Sequence, residues 1–175
     1  MSHDLPWLNA LPADEAEDEL LKCCGSKRWA SEMVNGRPYE SLDALIGNAN
    51  DIWRSLQPGD WLEAFRSHPK IGEKKTASTT STQSQKWSNQ EQAGVANASR
   101  ETIDELATLN HAYEQKFGFI FITCATGKNS EEMLSALRER LEHDAAVECP
   151  IAAAEQNKIT ELRLRKLLEP RINAD

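Results

Sequence analysis

Apolar residues recur along this chain with the period of a helix. Leu42, Leu45, Ile46, Ala49, Ile52, Trp53 and Leu56 fall three or four apart between Ser41 and Leu56, which predicts an amphipathic helix. Asp14 to Cys24 carries Leu20, Leu21 and Cys24 behind an acidic first turn, and Gly25 stops it. Trp29 to Val34 makes a short helix ahead of Gly36-Arg37-Pro38. Pro58-Gly59 breaks the pattern. Asp60 then reads as the cap of a new helix, with Glu63 completing a capping box and Trp61, Leu62 and Phe65 giving the apolar side. Pro69 disfavours helical geometry at His68, so that helix ends there.

Beyond it, Lys74 to Gln85 is rich in Ser, Thr and Lys and reads as a mobile surface loop, residues 74–86 at its widest. A helix resumes near Ser88 or Asn89 and runs past Val95. Ile103, Leu106, Asn110, Tyr113 and Phe117 mark another, closed by Gly118. Leu134, Leu137 and Leu141 line the next, and Pro150 opens the last, toward Leu168. One stretch breaks the helical rule: Phe119-Ile120-Phe121-Ile122-Thr123-Cys124 looks extended. A single extended segment builds no sheet, so the fold class is all-α: one helical domain over residues 1–175, with a short extended segment near 119–125 and a tail at 169–175.

Composition narrows the function more than the fold. The net charge is -8 and the pI near 5.1, which opposes nucleic-acid binding and a peripheral membrane role. No apolar run reaches the length of a bilayer span. The four cysteines, Cys23, Cys24, Cys124 and Cys149, form no C-x-x-C, and the four histidines form no H-x-x-x-H pair. No metal site is expected, and a reducing compartment is. The N-terminus lacks the layout of a signal peptide and the C-terminus lacks a Ser-Lys-Leu ending, so the expected location is the cytoplasm.

Four features carry candidate chemistry. His68 sits at a helix end, where carbonyl dipoles favour the imidazolium; it is a proton donor or anion holder, or simply a helix-end residue. Ser88, Glu91, Gln92 and Val95 fall at i, i+3, i+4 and i+7, one helix face with three polar groups on its inward side. Ser88-x-x-Glu91 also matches a capping box, and the two readings compete for Glu91. Arg163 follows Ile159 by four residues and borders an apolar face, fit for an anionic ligand or an ordinary salt bridge. Extended amides between Phe119 and Ala125 lack a ladder, so they bind either a ligand with urea or imide groups or a neighbouring loop.

Taken in order, Cys24-Gly25-Ser26, Arg37-Pro38-Tyr39, Ser67-His68-Pro69, Ser88-x-x-Glu91-Gln92, Tyr113-x-x-x-Phe117-Gly118-Phe119 and Leu162-Arg163-Leu164 resemble the OHCU decarboxylase family from about Leu5 to Leu168. That family acts on 2-oxo-4-hydroxy-4-carboxy-5-ureidoimidazoline, OHCU, in urate degradation. The resemblance implies an all-α fold, a homodimer, no cofactor and a small anionic substrate that is decarboxylated to (S)-allantoin. It implies His68 as the catalytic acid/base, Glu91 as its partner, and Pro69, Ser88, Gln92, Phe121, Ile122, Ala125 and Arg163 as substrate-binding residues. Two departures stand out. Many members read His-Pro-Asp-Leu-Ala-Gly where this chain has His68-Pro69-Lys70-Ile71-Gly72, and many have proline where it has Ile120. Two alternatives from the residues alone are a non-catalytic helical interaction module and a cofactor-free ureide hydrolase with His68 as general base.

Overall fold

The computed structural model describes residues 3–71 and 82–168, and every regular element within them is helical. The chain divides into two compact units, one comprising residues up to Glu63 and from Asn157 onward, the other Ala64–Gln156.

In the first unit, α2 (Ala13–Cys23), α3 (Lys27–Asn35) and α4 (Leu42–Ser55) follow the predicted periodicity to within one or two residues, and a short helix, α1 (Leu5–Ala10), precedes them where the sequence predicted none. Three of them start on side-chain caps that accept an orphan amide: Asp4 from Trp7, Ser26 from Trp29 and Ser41 from Ala44. Helix α2 packs on α3 and α3 on α4. Trp29 is wholly buried, and its indole N–H donates to the Ala49 carbonyl at 3.2 Å, which fixes α3 against α4.

The turn after α3 is tied down by side chains. Arg37 donates to the Leu8 and Leu11 carbonyls at 2.8 and 2.7 Å, satisfying the end of α1. The Asn9 amide holds both peptide groups of Tyr39, accepting from its N–H and donating to its carbonyl, each at 2.9 Å. The Tyr39 hydroxyl donates to the Met33 carbonyl and accepts from Asn48, both at 2.8 Å. Gly36 is needed here, because a Cβ would come within 2.6 Å of that hydroxyl.

Helix α5 (Pro58–Arg66) begins three residues earlier than a cap at Asp60 would place it. Pro58 occupies the first helical position, where its missing N–H costs nothing. Asp60 is therefore in the first turn and reaches back to accept from the Gln57 N–H at 3.1 Å. Glu63 completes no box with it; it accepts from the Lys27 amide at the start of α3.

The second unit contains α6 (Thr82–Glu91), a 3-10 turn at Ala93–Val95, α7 (Arg100–Phe117), α8 (Ser130–Leu141) and the first half of α9 (Ala145–Leu168). Its core gathers Ile71, Val95, Leu106, Tyr113, Phe121, Ala125, Met133, Leu134 and Leu137. Gly118 ends α7 in the left-handed region at φ 78°, as its position predicted. Segment 119–125 forms no strand, and no strand occurs among the described residues.

Two further boundaries differ from those the sequence predicts. Helix α6 starts at Thr82, so residues 82–86 are helical where a loop was expected; burial of Ser84, Trp87, Ser88 and Glu91 on one face outweighs the weak helix propensity of Ser and Thr. Residues 74–81 of that loop, like the tail 169–175, lie outside the described residues. Helix α9 starts at Ala145, with Pro150 inside it. A proline so near a helix start removes a single intrahelical bond, and the Val147 and Glu148 amides are already satisfied by the Asp144 carbonyl.

Candidate active site

His68 lies just past α5, in a turn tightened by i to i−3 bonds: Ser67 N–H donates to Ala64 and His68 N–H to Phe65. Pro69 enforces the break, as the sequence predicts. The imidazole is about nine-tenths buried, and its Nε2 is 2.6 Å from Oε1 of Gln156 on α9, itself fully buried.

Glu91 and Ser88 are both buried on α6. Because α6 runs from Thr82, Ser88 is at the end of its second turn and cannot be an N-cap. The capping-box alternative is thereby removed: Glu91 is a carboxylate on the inward face of a helix, not a cap. The inward face is Ser84-Trp87-Ser88-Glu91; Gln92 follows the helix end, half-buried, and Val95 belongs to the 3-10 turn.

The motif after Glu91 has a steric cause. A Cβ at Gly94 would stand 2.0 Å from the Lys128 carbonyl oxygen. Glycine alone permits the 3-10 turn to press against the backbone that follows segment 119–125, so α6 and that segment are held in register.

The extended segment is anchored at few points. Its Cys124 amide donates to Glu155 of α9 at 2.8 Å. Its Ile122 carbonyl accepts from the Arg140 guanidinium, which also lies over the Phe121 ring, 4.6 Å from the centroid. Arg140 is in turn neutralised by the fully buried Glu148, which takes the Tyr113 hydroxyl proton bond and faces His143 at 3.0 Å. Burial, reinforced by Glu148, holds the Tyr113 phenol well above its ordinary range. Among the described residues, the amides of Phe121, Ile122 and Ala125 make no hydrogen bond.

Glu91 also acts on this segment. Burial pushes the Cys124 thiol up, and the carboxylates of Glu155 and Glu91 add to the effect. His68, Glu91 and the strip 121–125 thus belong to one unit, and adjacent residues of α9 hold two of them: Gln156 meets His68, and Glu155 meets Cys124. Pro69, Ser88 and Gln92 are in the same unit. Arg163 is in the other, buried, where it donates to the Lys22 carbonyl at 3.4 Å and lies beside the Cys23 and Cys24 thiols.

Gln156, Glu155, Arg140 and Glu148 escape the sequence reading. Gln156 does carry a signal in the sequence: it precedes Ile159 by three and Arg163 by seven, in phase with the helix face that those two residues share.

Residues 9–165 match the family model described as OHCU decarboxylase. The chain belongs to that family. It is 45% identical over 152 residues to the uric acid degradation bifunctional protein TTL of Arabidopsis thaliana, covering 86% of this chain and 47% of that protein. It is 27% identical over 161 residues to the 2-oxo-4-hydroxy-4-carboxy-5-ureidoimidazoline decarboxylase of Haloferax volcanii, covering 91% and 93%. The crystal structure of an OHCU decarboxylase in the presence of (S)-allantoin superposes with a TM-score of 0.75 at 44% identity, covering 86% of this chain and 97% of that one. The chain spans about half the length of the Arabidopsis relative and about a third of the PucL protein of Bacillus subtilis, to which it is 28% identical. Among the described residues, no helix is long and apolar enough to cross a membrane.

Proposed function

We propose that this chain is a carboxy-lyase that decarboxylates 2-oxo-4-hydroxy-4-carboxy-5-ureidoimidazoline to (S)-allantoin and CO2 without a cofactor. The observation that supports the reading is that two buried proton-handling side chains, His68 and Glu91, share one unit with a backbone strip with unengaged amides, in a chain that belongs to the OHCU decarboxylase family.

The substrate supplies its own electron sink. As the C–C bond to the carboxylate breaks, its electron pair moves into the adjoining C=N unit of the ring. The ring nitrogen of that unit takes up a proton, the hydroxyl carbon becomes a carbonyl as its hydroxyl loses one, and another is added to the ureido-bearing carbon, so that one proton is consumed for each CO2 released. The protein's work is to orient the carboxylate, meet the developing charge and move these protons on one face. His68 is the acid/base for these transfers and Glu91 its partner. The amides of Phe121, Ile122 and Ala125 suit the carbonyl oxygens of a ureide, and Ser88, Gln92 and Pro69 complete the contacts. Arg163 carries the charge that a net acidic protein needs for an anionic substrate, a role resting on the family likeness. So does the homodimer. The four free cysteines suit a reducing cytoplasm.

Circular dichroism of freshly generated OHCU tests the proposal directly. The expected result is rapid growth of the (S)-allantoin signal above spontaneous decay, and its loss in a folded His68→Ala variant by a factor of roughly 100 or more. Racemic allantoin at the uncatalysed rate from folded wild-type protein refutes it.

A further inference from the structure

The bond between His68 and Gln156 fixes more than a position. An amide oxygen can only accept, so at 2.6 Å from Gln156 Oε1 the His68 Nε2 carries a proton. The ring is then either the Nε2–H tautomer or the imidazolium, and the two differ only at Nδ1. We infer that Gln156 is a positioning residue for the reaction: by accepting the Nε2 proton it sets the orientation and tautomer of His68, so that the proton His68 gains or gives up is carried on Nδ1. This rests on the catalytic reading of His68.

The setting supports the inference. Gln156 is fully buried in the middle of the longest helix of the described residues, with Ala152 and Ala153 also buried one turn before it. A buried amide is tolerated when its hydrogen bonds are made, and here one is made to the ring. The preceding residue, Glu155, accepts from the Cys124 amide at 2.8 Å. One helical turn therefore orients both the acid/base and the strip assigned to the substrate, and a shift of either would be felt by the other.

Two variants separate this role from plain packing. Gln156→Met keeps length and volume but removes the acceptor; Gln156→Glu keeps an acceptor. The readout is the pair of imidazole 15N shifts of His68 in the whole protein, followed with pH and set beside the kinetics. Wild type is expected to hold Nε2–H when neutral. Gln156→Met is expected to lose that preference and about 10- to 100-fold in kcat with KM little changed, and Gln156→Glu to restore both the tautomer and most of the rate. Wild-type shifts in a folded Gln156→Met variant, or altered shifts with an unaltered kcat, overturn the inference. If Gln156→Met does not fold, Gln156→Glu alone decides: its new carboxylate must move the titration of the His68 ring to higher pH than in wild type, and an unmoved titration overturns the inference. Failure of the underlying reading looks different, since His68→Ala would then keep full activity while the tautomer still followed Gln156.

Discussion

Two irregular segments of this molecule invite comparison: the turn at Arg37-Pro38-Tyr39 in the first unit and the strip 119–125 in the second. Both carry residues that resemble the family, and both leave the helical ladder. In the turn, every backbone donor is taken. Asn9 takes both peptide groups of Tyr39, the Arg37 amide donates to Val34, and the Arg37 guanidinium caps α1. In the strip, side chains take the Ile122 carbonyl and the Cys124 amide, and the amides of Phe121, Ile122 and Ala125 stay unengaged among the described residues. A segment whose donors are all taken by its own chain serves the fold, whereas one that is anchored but left with spare donors suits a ligand.

The sharpest way to break this contrast is at Arg140. Arg140→Met leaves Glu148 buried without its guanidinium partner and frees the Ile122 carbonyl. Losing one member of a buried ion pair costs about 3–5 kcal/mol. Urea denaturation should show that loss, and any folded fraction at low temperature should turn over OHCU more slowly because the strip is no longer held. A variant with unchanged midpoint and rate would mean that the anchors of the strip are incidental.

Gly94→Ala comes next. The new methyl group would meet the Lys128 carbonyl, and overpacking of this kind costs about 1–3 kcal/mol. Because the contact keeps α6 in register with the strip, KM should rise together with the loss of melting temperature. A change in melting temperature with KM intact would separate the packing from the site.

Tyr39→Phe probes the closed segment. It removes the hydroxyl that bridges Asn48 to the Met33 carbonyl, at a cost of about 1–2 kcal/mol. Here the expected change is in the urea midpoint alone, with kcat and KM as in wild type under folding conditions. Altered kinetics would show that the turn is more than scaffold.

The two segments also differ in how they read from sequence. Helices α2 to α4 and α7 were legible because a buried stripe imposes its period on the residues, and Gly118 because only a left-handed position follows there. His68 was legible through Pro69, and Glu91 through its spacing from Ser88. The start of α6 was not: its buried face is Ser84-Trp87-Ser88-Glu91, three of them polar, so no hydrophobic period announces it. Arg140 and Glu148 were hidden for a related reason. Each is buried by virtue of the other, and a pairing between residues eight apart on two helices leaves no local trace. Polar burial is set by tertiary partners, which pattern alone does not encode.

The smallest effect concerns alkaline pH, and both units contribute to it. Burial pushes the Cys24 thiol up from 9.0 to about 12, raises that of Cys23 beside it, and raises the Tyr113 phenol from 10.0. In each case the folded chain holds a proton that the unfolded chain releases at its ordinary pKa. The stability they confer is therefore complete below about pH 9 and falls as pH rises through the folded values, since the native state then binds more protons than the unfolded one. Urea midpoints should be flat from about pH 7 to pH 8.5 and decline beyond, with the thiols acting first because their unfolded pKa is lower. Tyr113→Phe should weaken only the steeper part above about pH 10, whatever it does to the midpoint at neutral pH. A midpoint that rises across this range would contradict the burial of these groups, and a slope untouched by Tyr113→Phe would assign the effect to the other raised groups, the buried thiols and the Tyr39 phenol.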